Sequence, residues 1–425
     1  MKEDLLQHIW QYQLFDKQNL QTTDGHTLNI IRLGIWNRES GPDFLQAQIK
    51  IDDMVWFGSI EIHIHASDWK QHKHHLNPAF DNVILHVVWE HPKTNLHHDG
   101  TKIPTLALKD RVDNLLLKKY DHLLHHDYSN QLACASYLTS IPSIHKFSVL
   151  EKAALKRLER KSAEVKLFWG NQQKDWQQTA FQWICRAYGF KVNAEAFATL
   201  GTRLPYQYLQ AERDNFENIV ALLFEVSGLI DTRLCSKKVI NTAQHLRQKY
   251  AIDSYAMQKH EFRWSRLRPP NFPEVRLIQL AALLYKHANL MDILLHLQSF
   301  KSMLTLFDKT NDIIVSYNHE FPKAKVLGKE SIYTIIINAI IPFRYAYGMH
   351  NADEQMKDQA VNLLQEIPGE RNRFTKIFSQ YNFPLSTALE SQGVLEQYRF
   401  ACQEKRCLEC HIGAAIMKNR DLLVN

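Results

Sequence analysis

The sequence predicts an α+β protein: an N-terminal domain over residues 1–130, then a mostly α-helical region over residues 143–400. Three observations carry this. Between residues 27 and 89 apolar side chains recur with the period of two that a strand requires. Beyond Ser143 they recur with helical period, and glycines stand where helices should stop. A Pro- and Arg-rich connector, Arg266–Pro273, interrupts the helical run and marks where it would divide into two subdomains.

The elements follow in order. Leu5, Leu6, Ile9 and Trp10 stand at helical spacing and predict a short first helix. Thr27–Leu33 is β-branched and apolar, and Leu45–Ile51 alternates up to Asp52-Asp53, a turn signal. Val55–His65 alternates cleanly. Trp56, Ile60, Ile62 and Ile64 fall on one face, and Ser59, Glu61, His63 and His65 on the other. Ser67-Asp68 offers an N-cap for a short polar helix through His75, and Val83–Trp89 reads as another strand. The predicted order is helix, three strands, helix, strand. In the second region, helices are predicted at Lys152–Phe168, Thr179–Tyr188, Phe216–Val226, Val275–Tyr285, Ser331–Tyr347, Asp353–Gln365 and Thr387–Arg399. Gly189 and Gly228 follow two of them as C-caps.

Composition sets the outer limits. Charged residues at 23% and hydrophobic ones at 45% exclude wholesale disorder, and 14 Gly with 13 Pro exclude collagen-like chains. A formal charge of +6 over 425 residues leaves an anionic partner to a local patch rather than to the whole surface. The N-terminus lacks the apolar core of a signal peptide. The most apolar stretch, Ile335–Phe343, is broken by Asn338 and Pro342 and is too short to cross a bilayer. Six cysteines in so long a chain are not a disulfide scaffold, so a reduced cytoplasm is the expected home and no membrane partner is expected.

Histidine is the unusual component, with 22 in all and nine between His63 and His98. Glu61, His63 and His65 share one face of their strand. Gly41-Pro42-Asp43 sits at the entrance of the preceding strand, where the Asp43 carboxylate reaches the same face as Glu61. Two carboxylates from neighbouring strands make an oxygen-rich site for a hard divalent cation such as Mg²⁺ or Mn²⁺, with His65 a further candidate ligand. A group two residues beyond the Glu is placed to position or activate water, which makes His63 the third candidate catalytic residue beside Asp43 and Glu61. His72 and His75, three apart on the short helix, share a face and could join them, but the preferred reading is a solvated polar helix anchored by Trp69. His86, in an apolar strand, reads as a hydrogen-bonded core residue.

Pro42-Asp43 followed by Glu61-Ile62-His63, in a helix–three strands–helix–strand context, resembles the PD-(D/E)XK nuclease superfamily over roughly the first 100 residues. That resemblance implies a restriction-endonuclease-like N-terminal domain in which Asp43 and Glu61 bind Mg²⁺, with an acid of the first helix, Glu3 or Asp4, assisting. It also implies a water-positioning Lys where this chain has His63, which leaves altered catalysis, a different metal or an inactive descendant open. The whole chain is similar to the domain-of-unknown-function 2851 family, through GPDF at Gly41–Phe44, EIHIHASDW at Glu61–Trp69, RPPNFPEVR at Arg268–Arg276 and CLEC at Cys407–Cys410. That family carries no assigned activity.

Two further patterns bear on partners. Lys156 and Arg157 belong to a run of cations along one helix, and Arg263, Arg266 and Arg268 interleave with Phe262, Trp264 and Phe272. Both are candidate nucleic-acid surfaces, set against a solvated helix face and a connector held by Arg–carboxylate pairs. In the C-terminal segment 401–425, Cys402, Cys407 and Cys410 give C-x4-C-x2-C, half of it with zinc-knuckle spacing. His411 is awkwardly placed as a fourth ligand, which leaves Cys134, Cys185 or Cys235, or else buried free thiols. Some relatives within the nuclease superfamily staple their ends with an iron–sulfur cluster, so zinc and such a cluster are both expectations here.

The sequence thus points to a metal-dependent nuclease acting on DNA or RNA. The alternative is a non-catalytic nucleic-acid-binding or scaffold protein that keeps the fold. A third class, a His-rich metallohydrolase of small molecules, requires His65 and His72 to converge with Glu61. If His63 activates water, activity should fall below about pH 6.5, where imidazole protonates.

Overall fold

The computed structural model describes residues 2–90, 92–125, 132–230, 235–287, 289–322 and 324–419. It is a mixed α+β structure of two compact units. The first comprises residues 1–149 with 380–383 and 397–425, and the second residues 150–379 with 384–396. The described part of the Cys-containing segment, residues 401–419, is therefore part of the first unit.

In the first unit α1 (Glu3–Gln11) buries Leu5, Leu6, Ile9 and Trp10 and packs on the sheet. The sheet contains β1 (Leu28–Arg32), β2 (Ile35–Trp36), β3 (Phe44–Ile51), β4 (Met54–His65), β5 (Val83–Glu90) and β8 (Thr105–Ala107). A separate hairpin pairs β6 (Asn95–Leu96) with β7 (Lys102–Ile103). The strand order is β1-β3-β4-β5-β8, with β2 beside β3. β1, β3 and β4 run antiparallel, whereas β5 lies parallel to β4, and β8 parallel to β5. A parallel step demands a crossover, supplied by α2 (Asp68–Gln71) and the 3₁₀ turns His74–Leu76 and Pro78–Phe80. β5 is buried along Val83–Trp89, as a central parallel strand covered on both faces should be.

Two local devices aim the strands. The β3–β4 turn is Asp52-Asp53, with Asp52 in the left-handed region (φ +50°) and its carboxylate accepting from the Thr27 amide. Near the start of β3 the register slips by one residue between Phe44 and Ala47, where Gln46 is left-handed (φ +58°). That bulge twists the strand end that carries Asp43 toward β4.

The second unit is helical around one hydrophobic core that contains both Phe262 and Leu277, on either side of the 266–273 connector. The helix Phe216–Ser227 ends at Gly228, which is left-handed (φ +69°) as a C-cap glycine should be. Gly189 closes its helix in right-handed geometry instead. The period predicted over Ser331–Tyr347 is two helices, Lys329–Ile335 and Ile341–His350, joined by a π turn, Ile336–Ile340. The widened turn precedes Pro342, which has no N–H to donate. No described helix is long and apolar enough to cross a membrane.

Candidate functional site

The site lies at the C-terminal half of β4, where burial begins. Met54–Phe57 are exposed, and Gly58–His63 are buried. Gly58 marks the change, because a Cβ there would meet the Asn82 carbonyl oxygen at 2.4 Å, so only glycine lets β4 come so close to the chain entering β5.

Asp43 and Glu61 interlock. The Asp43 amide donates to Glu61 Oε2 at 3.1 Å, and Asp43 Oδ2 accepts from the Ile62 amide at 2.9 Å. Gln7 of α1 donates to Asp43 Oδ1 at 2.8 Å. Asn37 fixes the approach by donating from Nδ2 to the Ser40 and Pro42 carbonyls. Glu61 is buried and Asp43 half-buried, and loss of solvent first pushes each up to about 8; the neighbouring Glu61 charge adds to this at Asp43, and Glu3 adds to it at Glu61. Glu3 is raised to about 7 by burial and then by Asp43, which makes it the acid of the first helix that faces the site. Three carboxyls held against ionisation are a place that a cation would relieve.

Opposite them stand imidazoles. His63 is fully buried, and its Nε2 lies 3.5 Å from Glu61 Oε1 and 3.2 Å from His72 Nδ1. His74 Nε2 lies 3.2 Å from Glu61 Oε1 without hydrogen-bond alignment, and no other partner satisfies it. His72 and His74 both turn inward because Lys73 between them is left-handed (φ +60°) and breaks the helix after Gln71. The helix-face pairing of His72 with His75 fails for that reason, and His74 takes the place. The His74 ring stacks on Phe80 at 3.8 Å, and buried Trp69 flanks His74 and His86. The ligating atoms of His63, His72 and His74 lie within 4.8 Å of one another. His65 is at the strand's end, where its amide donates to Asp68 Oδ2, and it is not part of that trio.

Behind His63 the hydrogen bonds fix a tautomer. Asn95 Nδ2 is 2.7 Å from the Ala66 carbonyl, which can only accept, so the amide nitrogen must face it. The same nitrogen donates to His86 Nδ1 at 3.3 Å, so His86 carries its proton on Nε2 and donates to His63 Nδ1 at 2.8 Å. His63 then bears its own proton on Nε2, directed at Glu61 and His72. Burial, followed by the neighbouring His86, His74 and His72, pushes His63 down to about 2. These surroundings disfavour the protonated form of His63, so the acid limit near pH 6.5 of an ordinary imidazole is not expected from it. His86 is a core residue, as its strand suggested, and it also orients His63.

A metal ion would find a mixed donor set here. His74 Nε2 and Glu61 Oε1 stand at the separation, about 3 Å, that two ligands of one ion take when bonds are near 2.1 Å. Carboxylates alone suit Mg²⁺, whereas an added imidazole favours Mn²⁺ or Zn²⁺. Among the described residues the ligating atoms that converge are those of His63, His72 and His74, with Glu61 Oε1 beside His74, and these donors fit a divalent ion.

The cationic candidates belong to the second unit. Lys156 is exposed, but Arg157 is held by Gln392 Oε1 at 2.6 Å and by Glu396 at 3.5 Å. Arg263, Arg266 and Arg268 are exposed, while Arg276 is buried over the Phe190 ring and bonds Gln279 and Asn271.

Fold and site together define a mixed-sheet protein with a buried carboxylate–imidazole centre at the C-terminal half of a central strand. The chain belongs to the family described as protein of unknown function (DUF2851), which matches residues 3–373. No curated protein and no solved structure matches it.

Proposed function

We propose that the protein is a divalent-metal-dependent hydrolase of phosphodiester bonds in DNA or RNA. The observation that carries this reading is the Asp43–Glu61 interlock beside the Nε2–H of His63. The strand order, with three antiparallel strands followed by a parallel step through a short helix, also supports a restriction-endonuclease-like domain.

Asp43 and Glu61 would hold the ion, with Glu3 and His74 as further donors. A bound divalent ion supplies charge stabilisation at the scissile phosphate and an acidified water. Glu61 anchors the strand entrance by accepting the Asp43 amide. His63, neutral and held by His86, offers a fixed N–H donor where the superfamily pattern has an ammonium. It can orient a water or a phosphate oxygen, and it adds no charge.

The test is cleavage of single- and double-stranded DNA and RNA with Mg²⁺ or Mn²⁺. Wild type should cut and Glu61→Gln should not, with nucleic-acid binding nearly unchanged, since affinity rests on cations elsewhere. Failure of wild type to cut any of these would leave the non-catalytic nucleic-acid-binding scaffold.

The trio of His63, His72 and His74 favours a second reading, a metallohydrolase of small molecules with an imidazole-held zinc ion. That reading requires His63 to give up its Nε2 proton. Zinc retained in Asp43→Asn and lost in His72→Ala would select it.

A further inference from the structure

Cys402, Cys407 and Cys410 lack a fourth ligand in their own segment, and the fold of the first unit supplies one. The last turn of α3 (Asn114–His125) is the meeting point. Cys407 Sγ lies 4.0 Å from the Leu123 carbonyl, and Lys405 donates to the Leu124 carbonyl at 2.9 Å. The same turn holds the segment carrying Cys134: His122 Nε2 pairs with Ser136 Oγ at 3.2 Å, and its ring sits 5.4 Å from that of Tyr137. Among Cys134, Cys402, Cys407 and Cys410, burial and the neighbouring thiols act together on Cys134, Cys402 and Cys407, although the four sulfurs do not converge within 4.8 Å and an ion would have to draw them closer. Cys185 and Cys235 belong to the second unit.

Cys410 is the N-cap residue of the C-terminal helix His411–Lys418, without a side-chain cap bond, and its sulfur accepts from Gln397 Nε2 at 3.3 Å. Gly413 lets the helix close on this loop, because a Cβ there would meet the Cys407 carbonyl oxygen at 1.9 Å. Burial pushes all four thiols up, that of Cys407 to about 12. Four thiolates gathered here would repel one another unless a cation lay among them.

We propose that Cys134, Cys402, Cys407 and Cys410 form a four-thiolate site for a thiophilic metal, either one zinc ion or an iron–sulfur cluster. Loading breaks four S–H bonds, forms four sulfur–metal bonds and releases four protons to water, with no change in the oxidation state of the cysteines. The site would tie the C-terminal segment to the body of the first unit, and it stands independently of the hydrolase reading.

The test is elemental and acid-labile sulfide analysis of the full chain purified anaerobically. Zinc near one equivalent without sulfide, or iron with matching sulfide and a visible chromophore, supports the site and says which metal it takes. Cys134→Ser should lose the metal while Cys235→Ser keeps it. Less than about 0.1 equivalent of zinc and iron in wild type, or full metal in Cys134→Ser, overturns the proposal. Should Cys134→Ser fail to fold, melting with and without chelator of the Glu61→Gln/His72→Ala variant, which lacks ligands of the other proposed metal sites, decides: a large loss of thermal stability supports the cysteine site, and no change overturns it.

Discussion

Asp43 and Glu61 are bound to each other through the backbone rather than through a shared proton: the amide of one donates to the carboxylate of the other at 3.1 Å. Two acids are thus fixed side by side although burial and mutual repulsion oppose ionisation of both. On the proposed reading a bound cation would relieve that opposition.

The first expectation concerns stability. Both carboxyls have folded values near 8, above their unfolded range, so their contribution is fully present below pH 4 and gone above about pH 8. Glu61→Gln keeps an acceptor for the Asp43 amide and removes one charge. In chelator at pH 8 it should stabilise the protein by about 1 kcal/mol. Added Mn²⁺ should raise the melting temperature of wild type and not of the variant. Thermal melts at pH 6 and 8 check both statements.

Metal affinity should depend on pH with a definite sign. An ion must displace protons from carboxyls that titrate near 8, so binding should tighten about tenfold per pH unit for each proton lost, between pH 6 and 8, and level off above. Calorimetry in buffers of different ionisation enthalpy measures the protons released. Affinity flat from pH 6 to 8 would contradict the buried-carboxyl account. Activity should follow the same limb, with no separate loss near pH 6.5, because His63 stays neutral there.

The His63–His86 pair gives an expectation that needs no activity. His86→Leu leaves His63 Nδ1 buried and unpaired, a cost of about 1–3 kcal/mol, and His63→Leu does the same to His86 Nε2. The double variant should cost less than the two singles summed, by at least 0.5 kcal/mol of coupling. Denaturant unfolding of the four proteins closes the cycle. Strict additivity would deny the hydrogen bond.

In the second unit, Gly228→Ala should destabilise by more than about 1 kcal/mol, since the site is left-handed and a Cβ would meet the Met257 carbonyl oxygen at 2.3 Å. Gly170→Ala, with nothing near its Cβ position, is the neutral comparison.

The pattern of the chain carried the phase of Glu61, because the alternation over Val55–His65 is a local property; counted from the Asp52-Asp53 turn alone Asp43 would stand opposite Ile62, and the one-residue bulge at Gln46, which no pattern announces, brings it to Glu61. It carried the Gly228 stop for the same reason. What it could not carry was set by distant or unpatterned backbone. His74 enters the site through one left-handed residue, Lys73, which periodicity does not encode. Asn95 dictates the tautomer of His63 from a two-residue strand, and β6, β7 and β8 are too short to show a period. Cys134 meets the other cysteines only through tertiary packing.

The most direct measurement is anomalous scattering from a crystal soaked in Mn²⁺. The account expects one peak with an oxygen of Asp43 and Oε1 of Glu61 each at ligand distance, about 2.0–2.6 Å, and His74 Nε2 beside it. A soaked crystal with no ion at Asp43 and Glu61 would contradict it.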